Sequence, residues 1–133
     1  MPQTGAMCLL DEVVSHDEAG IVCRARRHRL PDHPLANAAG QVPAVVSLEY
    51  AAQAAAAHGA LSGFGGTCPI RRGFLASARD FKLHVLLLSD LEDDLTVSAT
   101  KLLDASDSVV YEFKVICGTR FVSEGRLSVF FAG

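Results

Sequence analysis

Between Gln41 and Leu61 the chain keeps almost nothing for water. The stretch reads Gln-Val-Pro-Ala-Val-Val-Ser-Leu-Glu-Tyr-Ala-Ala-Gln-Ala-Ala-Ala-Ala-His-Gly-Ala-Leu, and Ala51 to Ala57 is interrupted only by Gln53. A surface helix reserves a polar face for solvent, and a helix without one is buried on every side. Pro43 suits a first helical turn, where its missing N–H has no partner to lose, and Gly59 and Gly63 supply stop signals. The expected helix runs from about Pro43 to His58, and the rest of the chain has to wrap it.

Glu49 lies inside that helix with Gln53 one turn on, at i+4 and so on the same face. A carboxylate removed from water costs several kcal/mol unless it is paired or hydrogen-bonded, and burial raises its pKa. Two readings follow. Glu49 belongs to a structural network with Gln53 or a loop amide, or it is a general acid/base in a dry pocket.

The chain that must do the wrapping has 133 residues, half of them hydrophobic, which suits one domain over residues 1–133 with a sizeable core. No linker, low-complexity run or internal repeat divides it. The N-terminus lacks a basic segment followed by an apolar one, and no apolar run reaches the ~18 residues of a membrane span, so a soluble, cytoplasmic protein without a membrane span is expected. Cys8, Cys23, Cys68 and Cys117 are scattered, with no Cys-x-x-Cys and no His at metal-ligand spacing. They read as reduced, partly buried small hydrophobes rather than a metal site or a disulfide framework. A net charge of −3 argues against a general nucleic-acid binder. Even so, Arg24, Arg26, Arg27 and Arg29 form one group and Arg71, Arg72 and Arg79 another, together seven of the twelve Lys and Arg. Such clustering offers a local basic surface to an acidic partner.

The remaining segments read as strands. Met7 to Val14 and Ile21 to Arg27, separated by turn formers, make a first hairpin. Arg29 to Gly40, with Pro31 and Pro34, is a loop that carries His33 just before the helix, and His28 precedes it. Ser62 to Gly73, rich in glycine, is a flexible connection. Phe74 to Val85 alternates, with Phe81, Leu83 and Val85 on one face. Leu95 to Leu103 places Leu95, Val97 and Ala99 together, and Val109 to Cys117 does the same with Val109, Tyr111, Phe113, Val115 and Cys117. Gly118-Thr119 is a tight turn into Arg120 to Phe131, where a bulge is expected near Gly125. A hairpin, one long apolar helix and four antiparallel strands fit an α+β architecture, a curved antiparallel sheet wrapped around the helix.

That order, read with these residues, resembles the hotdog fold, and within it the 3-hydroxyacyl-acyl carrier protein dehydratases. Met7-Cys-Leu-Leu-Asp-Glu-Val-Val14 is similar to the family's opening apolar-Leu-Leu-x-Asp-Arg-Val segment, with Glu12 in place of the Arg. Pro43 to Gln53 is similar to its Pro-Gly-x-x-x-x-Glu-x-x-Ala-Gln helix, with Ala44 in place of the Gly. Phe74 to Lys82 and the final hairpin match in pattern. The family's His-Phe-Pro is represented by His33-Pro34-Leu35, and the loop with His28-Arg29 before it looks more like the small dehydratase-like proteins of aryl-polyene and related polyketide clusters.

The resemblance implies dehydration of 3-hydroxyacyl thioesters to trans-2-enoyl thioesters on acyl carrier protein, in fatty-acid or polyketide biosynthesis, with no cofactor and no metal. It implies a catalytic pair of Glu49 with His33 or His28, and substrate contacts from Gln53, Pro43, Ala44 and Val45. Backbone N–H groups at the Ala44-Val45 turn would serve a developing enolate. A neutral imidazole and a pKa-raised carboxyl are a suitable base and acid near pH 7. Docking of the acidic carrier protein and its 4'-phosphopantetheine-linked acyl chain falls to Arg26, Arg27, Arg29, Arg71 and Arg72. A homodimer joined sheet edge to sheet edge is expected. Two alternatives remain open: a hotdog acyl thioesterase using Glu49 alone, and a non-catalytic dehydratase-like partner subunit.

Overall fold

The computed structural model describes residues 9–29, 33–63, 74–104 and 108–131. Strands β1 (Glu12–His16) and β2 (Gly20–Ala25) form the first hairpin, and a 3-10 turn over Arg27–Arg29 follows. A second 3-10 turn, Ala44–Val46, leads into the helix α1 (Ser47–Gly63). The strands β3 (Phe74–Leu83), β4 (Leu95–Asp104), β5 (Ser108–Cys117) and β6 (Arg120–Phe131) complete the chain. All pairings are antiparallel, in the order β1-β2-β4-β5-β6-β3. The chain thus leaves β2, crosses the sheet as α1, enters the opposite edge as β3, and returns to lay β4 beside β2.

Alternation in the strands decides which side receives the helix. Ile21, Cys23 and Ala25, then Leu95, Val97 and Ala99, then Tyr111, Phe113, Val115 and Cys117 are all buried, as the sequence pattern requires. α1 packs against β2 to β6. Its other side is covered by Leu9, Val42, Leu88 and Leu91, so that Tyr50 to His58 form an unbroken buried run. Alanine makes this arrangement possible, because a side chain of one carbon lets sheet and loops approach the helix backbone from all directions. The two polar residues in the run are hydrogen-bonded. Gln53 accepts from the Leu9 backbone at 2.8 Å, and His58 contacts the Tyr111 hydroxyl and the Asp17 carbonyl, both at 2.7 Å.

The structure corrects several boundaries. The helix opens with a 3-10 turn and continues past His58 to Gly63, carrying Gly59 within it at a cost of ~1 kcal/mol relative to alanine. The first strand starts at Glu12 and not at Met7, since Leu9 is drawn down onto Gln53 and Asp11 accepts the Arg26 backbone N–H at 2.6 Å. Gly125 itself pairs regularly with Phe113. The irregularities lie beside it, at Val122 in β6 and opposite Gly125 in β3, where Asp80 adopts a φ of +53°. Gly118, at φ +63°, opens the two-residue turn into β6, a position that favours glycine. Most of the expected Ser62 to Gly73 connection lies outside the described residues. Among those described, no helix is long and apolar enough to cross a membrane.

Candidate active site

Glu49 stands in the first turn of α1, half-buried, on the side where the helix is open. It lines a groove of about 330 Å³ with Leu35, Val45, Val46, Leu48, Ala52, Ala78 and Leu127. Loop, 3-10 turn, helix and strands β3 and β6 each supply a wall. Glu49 is the one ionisable side chain among them, a carboxylate on an otherwise hydrocarbon surface.

Its orientation is set by Gln53. A backbone N–H can only donate, so the Leu9 N–H at 2.8 Å fixes Oε1 of Gln53, and the amide nitrogen points to Glu49 Oε2 at 3.3 Å. The residue expected to touch substrate therefore orients the carboxylate that faces the groove.

Neither histidine expected beside Glu49 lines the groove. His33 is 7% exposed, its Nδ1 accepting the Leu35 backbone N–H at 3.0 Å and its Nε2 lying 2.9 Å from the Tyr50 hydroxyl. With Nδ1 accepting, the neutral ring carries its proton on Nε2 and donates it to Tyr50. His28 is fully buried, and its Nε2 donates to the Leu91 carbonyl at 3.0 Å. Among the described residues, His33 reaches the helix through Tyr50, the residue after Glu49 in sequence but about 100° further round the helix. Burial, aided by the charge of Asp11, pushes the Tyr50 phenol well above its ordinary range, so it remains a neutral hydroxyl. Sequence reasoning passed over Tyr50. Its signal was a single tyrosine directly after Glu49 at the head of an alanine run.

The other expected positions fall as follows. Pro43 bridges to Leu87, and the Ala44 N–H is donated to the Leu86 carbonyl at 2.8 Å, while the Val45 side chain lies on the groove. Among the arginines, Arg26 pairs with Glu12 and with Asp94 at 3.3 Å, Arg24 with Glu12 at 3.6 Å, and Arg27 with Asp11 at 2.8 Å. This surface is a mixed-charge network in which the hydrogen bond that Arg26 donates to the Glu12 carboxylate raises the guanidinium's pKa further. Arg71 and Arg72 lie outside the described residues, as does the side chain of Arg29. His84 is exposed beside Glu124 at 3.0 Å, His16 is exposed and His58 is buried, in keeping with structural or solvent-facing roles.

A six-stranded antiparallel sheet holding one long helix is the hotdog fold. The family model of the ApeP-like proteins, described as ApeP dehydratase, matches residues 1–132. The chain belongs to that dehydratase family. Among solved structures, it is similar to the dehydratase heterocomplex ApeI:P from Xenorhabdus doucetiae, at 18% identity and a TM-score of 0.79, covering 100% of this chain and 88% of that one. The PaaI protein from the phenylacetic acid degradation operon of E. coli follows at 17% identity and a TM-score of 0.61, covering 90% and 81%. A putative thioesterase, yhdA of Lactococcus lactis, matches at 14% identity and a TM-score of 0.59, covering 91% and 88%. At these identities the structures speak for the fold. No curated protein matches the chain by sequence.

Proposed function

We infer that this protein dehydrates 3-hydroxyacyl chains held as thioesters on the 4'-phosphopantetheine arm of an acyl carrier protein. The product is a trans-2-enoyl thioester, made in the cytoplasm during fatty-acid or polyketide assembly of the aryl-polyene kind. The observation that carries this reading is Glu49, among the described residues the one ionisable group on an apolar groove, in a chain of a dehydratase family. The reaction removes a proton alpha to the thioester carbonyl and protonates the hydroxyl that leaves as water, so it needs a base, an acid and a donor for the enolate oxygen, and neither metal nor redox cofactor. Glu49 is one of the acid/base pair. The Ala44 amide is taken by Leu86, so the enolate donor falls to the Val45 amide. The imidazole is that of His33 or His28 after exchange of its present hydrogen bonds, or one from a second chain. Both sheet edges, β1 and β3, can pair with such a chain as a homodimer or as a complex with a related subunit. Arg26, Arg27, Arg29, Arg71 and Arg72 are the docking candidates for the acidic carrier protein.

A second reading is favoured by a specific observation: His33 and His28 are both hydrogen-bonded within the chain and absent from the groove lining. In that reading the protein is the supporting subunit of a dehydratase pair, and the partner supplies the chemistry. Turnover of 3-hydroxyacyl-carrier protein by the purified chain, alone and mixed with a dehydratase partner, separates the two. Glu49→Gln keeps shape and removes the titrating proton, so the catalytic reading expects a loss of ~10² or more, shared by His33→Ala or His28→Ala. Undiminished turnover in Glu49→Gln, in either setting, overturns it.

A further inference from the structure

The segment from His33 to Val42 is held differently at its two ends. Its far end is ordered by Asn37, whose side-chain oxygen accepts from Ala39 at 2.9 Å and Gln41 at 3.0 Å, and by Val42, whose carbonyl accepts from Leu88 at 2.7 Å. At its near end, among the described residues, a side chain makes the connection to the helix. His33 turns inward and gives its Nε2–H to Tyr50 at 2.9 Å, while its Nδ1 grips the backbone of Leu35 at 3.0 Å. Leu35, steadied from its own amide, then stands half-buried as a wall of the Glu49 groove. Val46, Ala52 and Leu127 line the same groove from regular structure and have little freedom to move. Leu35 is the wall on a loop, and an imidazole and a phenol decide where it sits.

We propose that Leu35 sets how much acyl chain the groove admits, and that the Tyr50–His33 hydrogen bond holds it in place. Leu35 is then a specificity-determining residue, with Tyr50 and His33 as positioning residues and the proton-transferring imidazole that of His28 or of a second chain; this rests on the acyl-thioester reading of the groove. In an apolar pocket one methylene more or less changes discrimination by about ten-fold or more. Leu35→Ala should therefore shift the preferred chain to longer acyl groups, raising the affinity ratio of long over short chains about ten-fold, and Leu35→Phe should shift it the other way. Tyr50→Phe keeps the ring and removes only the hydroxyl. It should move the ratio several-fold in the direction of Leu35→Ala, because the loop is loosened and not cut back.

The test uses the full chain and a series of non-cleavable acyl-pantetheine thioethers of increasing length, titrated by calorimetry. Heteronuclear NMR of the His33 ring accompanies it. In the parent, the proton should be found on Nε2, and the ring signals should move in Tyr50→Phe. Tyr111→Phe is the control, since it removes the equivalent hydroxyl from His58, 2.7 Å away, at a place that does not line the groove. A shifted length order in both Leu35 variants and in Tyr50→Phe, with the parent's order kept in Tyr111→Phe, supports the assignment. If the Leu35 variants and Tyr50→Phe keep the parent's order, or if Tyr111→Phe shifts it equally, the assignment fails while the acyl-thioester reading stands. If the parent binds no member of the series, both fall together.

Discussion

Replacing Gln53 by leucine tests the most economical piece of the site. The side chain is 1% exposed and satisfies a buried backbone donor, the Leu9 N–H, while directing its own N–H to Glu49. Leucine leaves the Leu9 donor without a partner, at about 1–3 kcal/mol. It also removes a long, half-exposed hydrogen bond to a carboxylate, worth below about 1 kcal/mol. Extra apolar burial returns about 1 kcal/mol. The net cost is about 2 kcal/mol, which for 133 residues lowers Tm by about 7 °C. Thermal melts at neutral pH and hydrogen exchange at the Leu9 amide read the two consequences. Gln53→Glu sharpens the case, because it keeps an acceptor for Leu9 but sets two carboxylates one turn apart. Mutual repulsion raises their folded-state pKa values, so its deficit should be absent below about pH 4 and grow as the pH rises through the carboxylate range. A Gln53→Leu protein as stable as the parent, with the Leu9 amide equally protected, would refute the reasoning.

Other expectations follow from single contacts. A Cβ at Gly125 would lie 3.1 Å from the Arg79 carbonyl and from two ring atoms of Phe113, so Gly125→Ala should cost about 1–3 kcal/mol in urea unfolding. Burial holds the Cys23 thiol up at about 12 and Tyr111 at about 12, above their ordinary 9.0 and 10.0. Groups raised on folding stabilise below their unfolded values and lose that contribution as pH climbs, so the urea midpoint should fall between about pH 9 and 12. Over the same reasoning, iodoacetamide at neutral pH should leave Cys23 unmodified until denaturant is added. Charge reversal at Arg24 and Arg26 should leave stability little changed, since water screens both side chains, while weakening carrier-protein binding and flattening its salt dependence. Carrier affinity equal to the parent's would remove these arginines from the docking surface.

Much of the fold was legible because burial writes itself into composition and period. The alanine helix could only be wrapped, and Leu95-Val97-Ala99 and Tyr111-Phe113-Val115 announced their inward faces. Gly59 read as a stop signal, yet the helix runs through it to Gly63, since a single internal glycine costs a helix only ~1 kcal/mol. Of the candidate site, the sequence made legible a carboxylate among apolar neighbours at Glu49, and not the groove that it lines. A histidine's type says nothing of its partners, and His33 and His28 have theirs on Tyr50 and Leu91, residues brought to them by folding. Similarly, Arg24, Arg26 and Arg27 read as a local basic surface until folding set Glu12, Asp94 and Asp11 against them.

The kink in β3 decides the chemistry of the groove wall. Ala78 faces Leu127 and Lys82 faces Glu124, with Asp80 and Phe81 together opposite Gly125. Strict alternation back from Phe81 would carry Arg79 and Ser77 inward. The extra residue reverses that parity, turning Arg79 out and Ala78 toward the groove that Glu49 lines. One amino acid of chain length, with no change in any side chain, thus determines whether the carboxylate looks across at a methyl group or at a guanidinium.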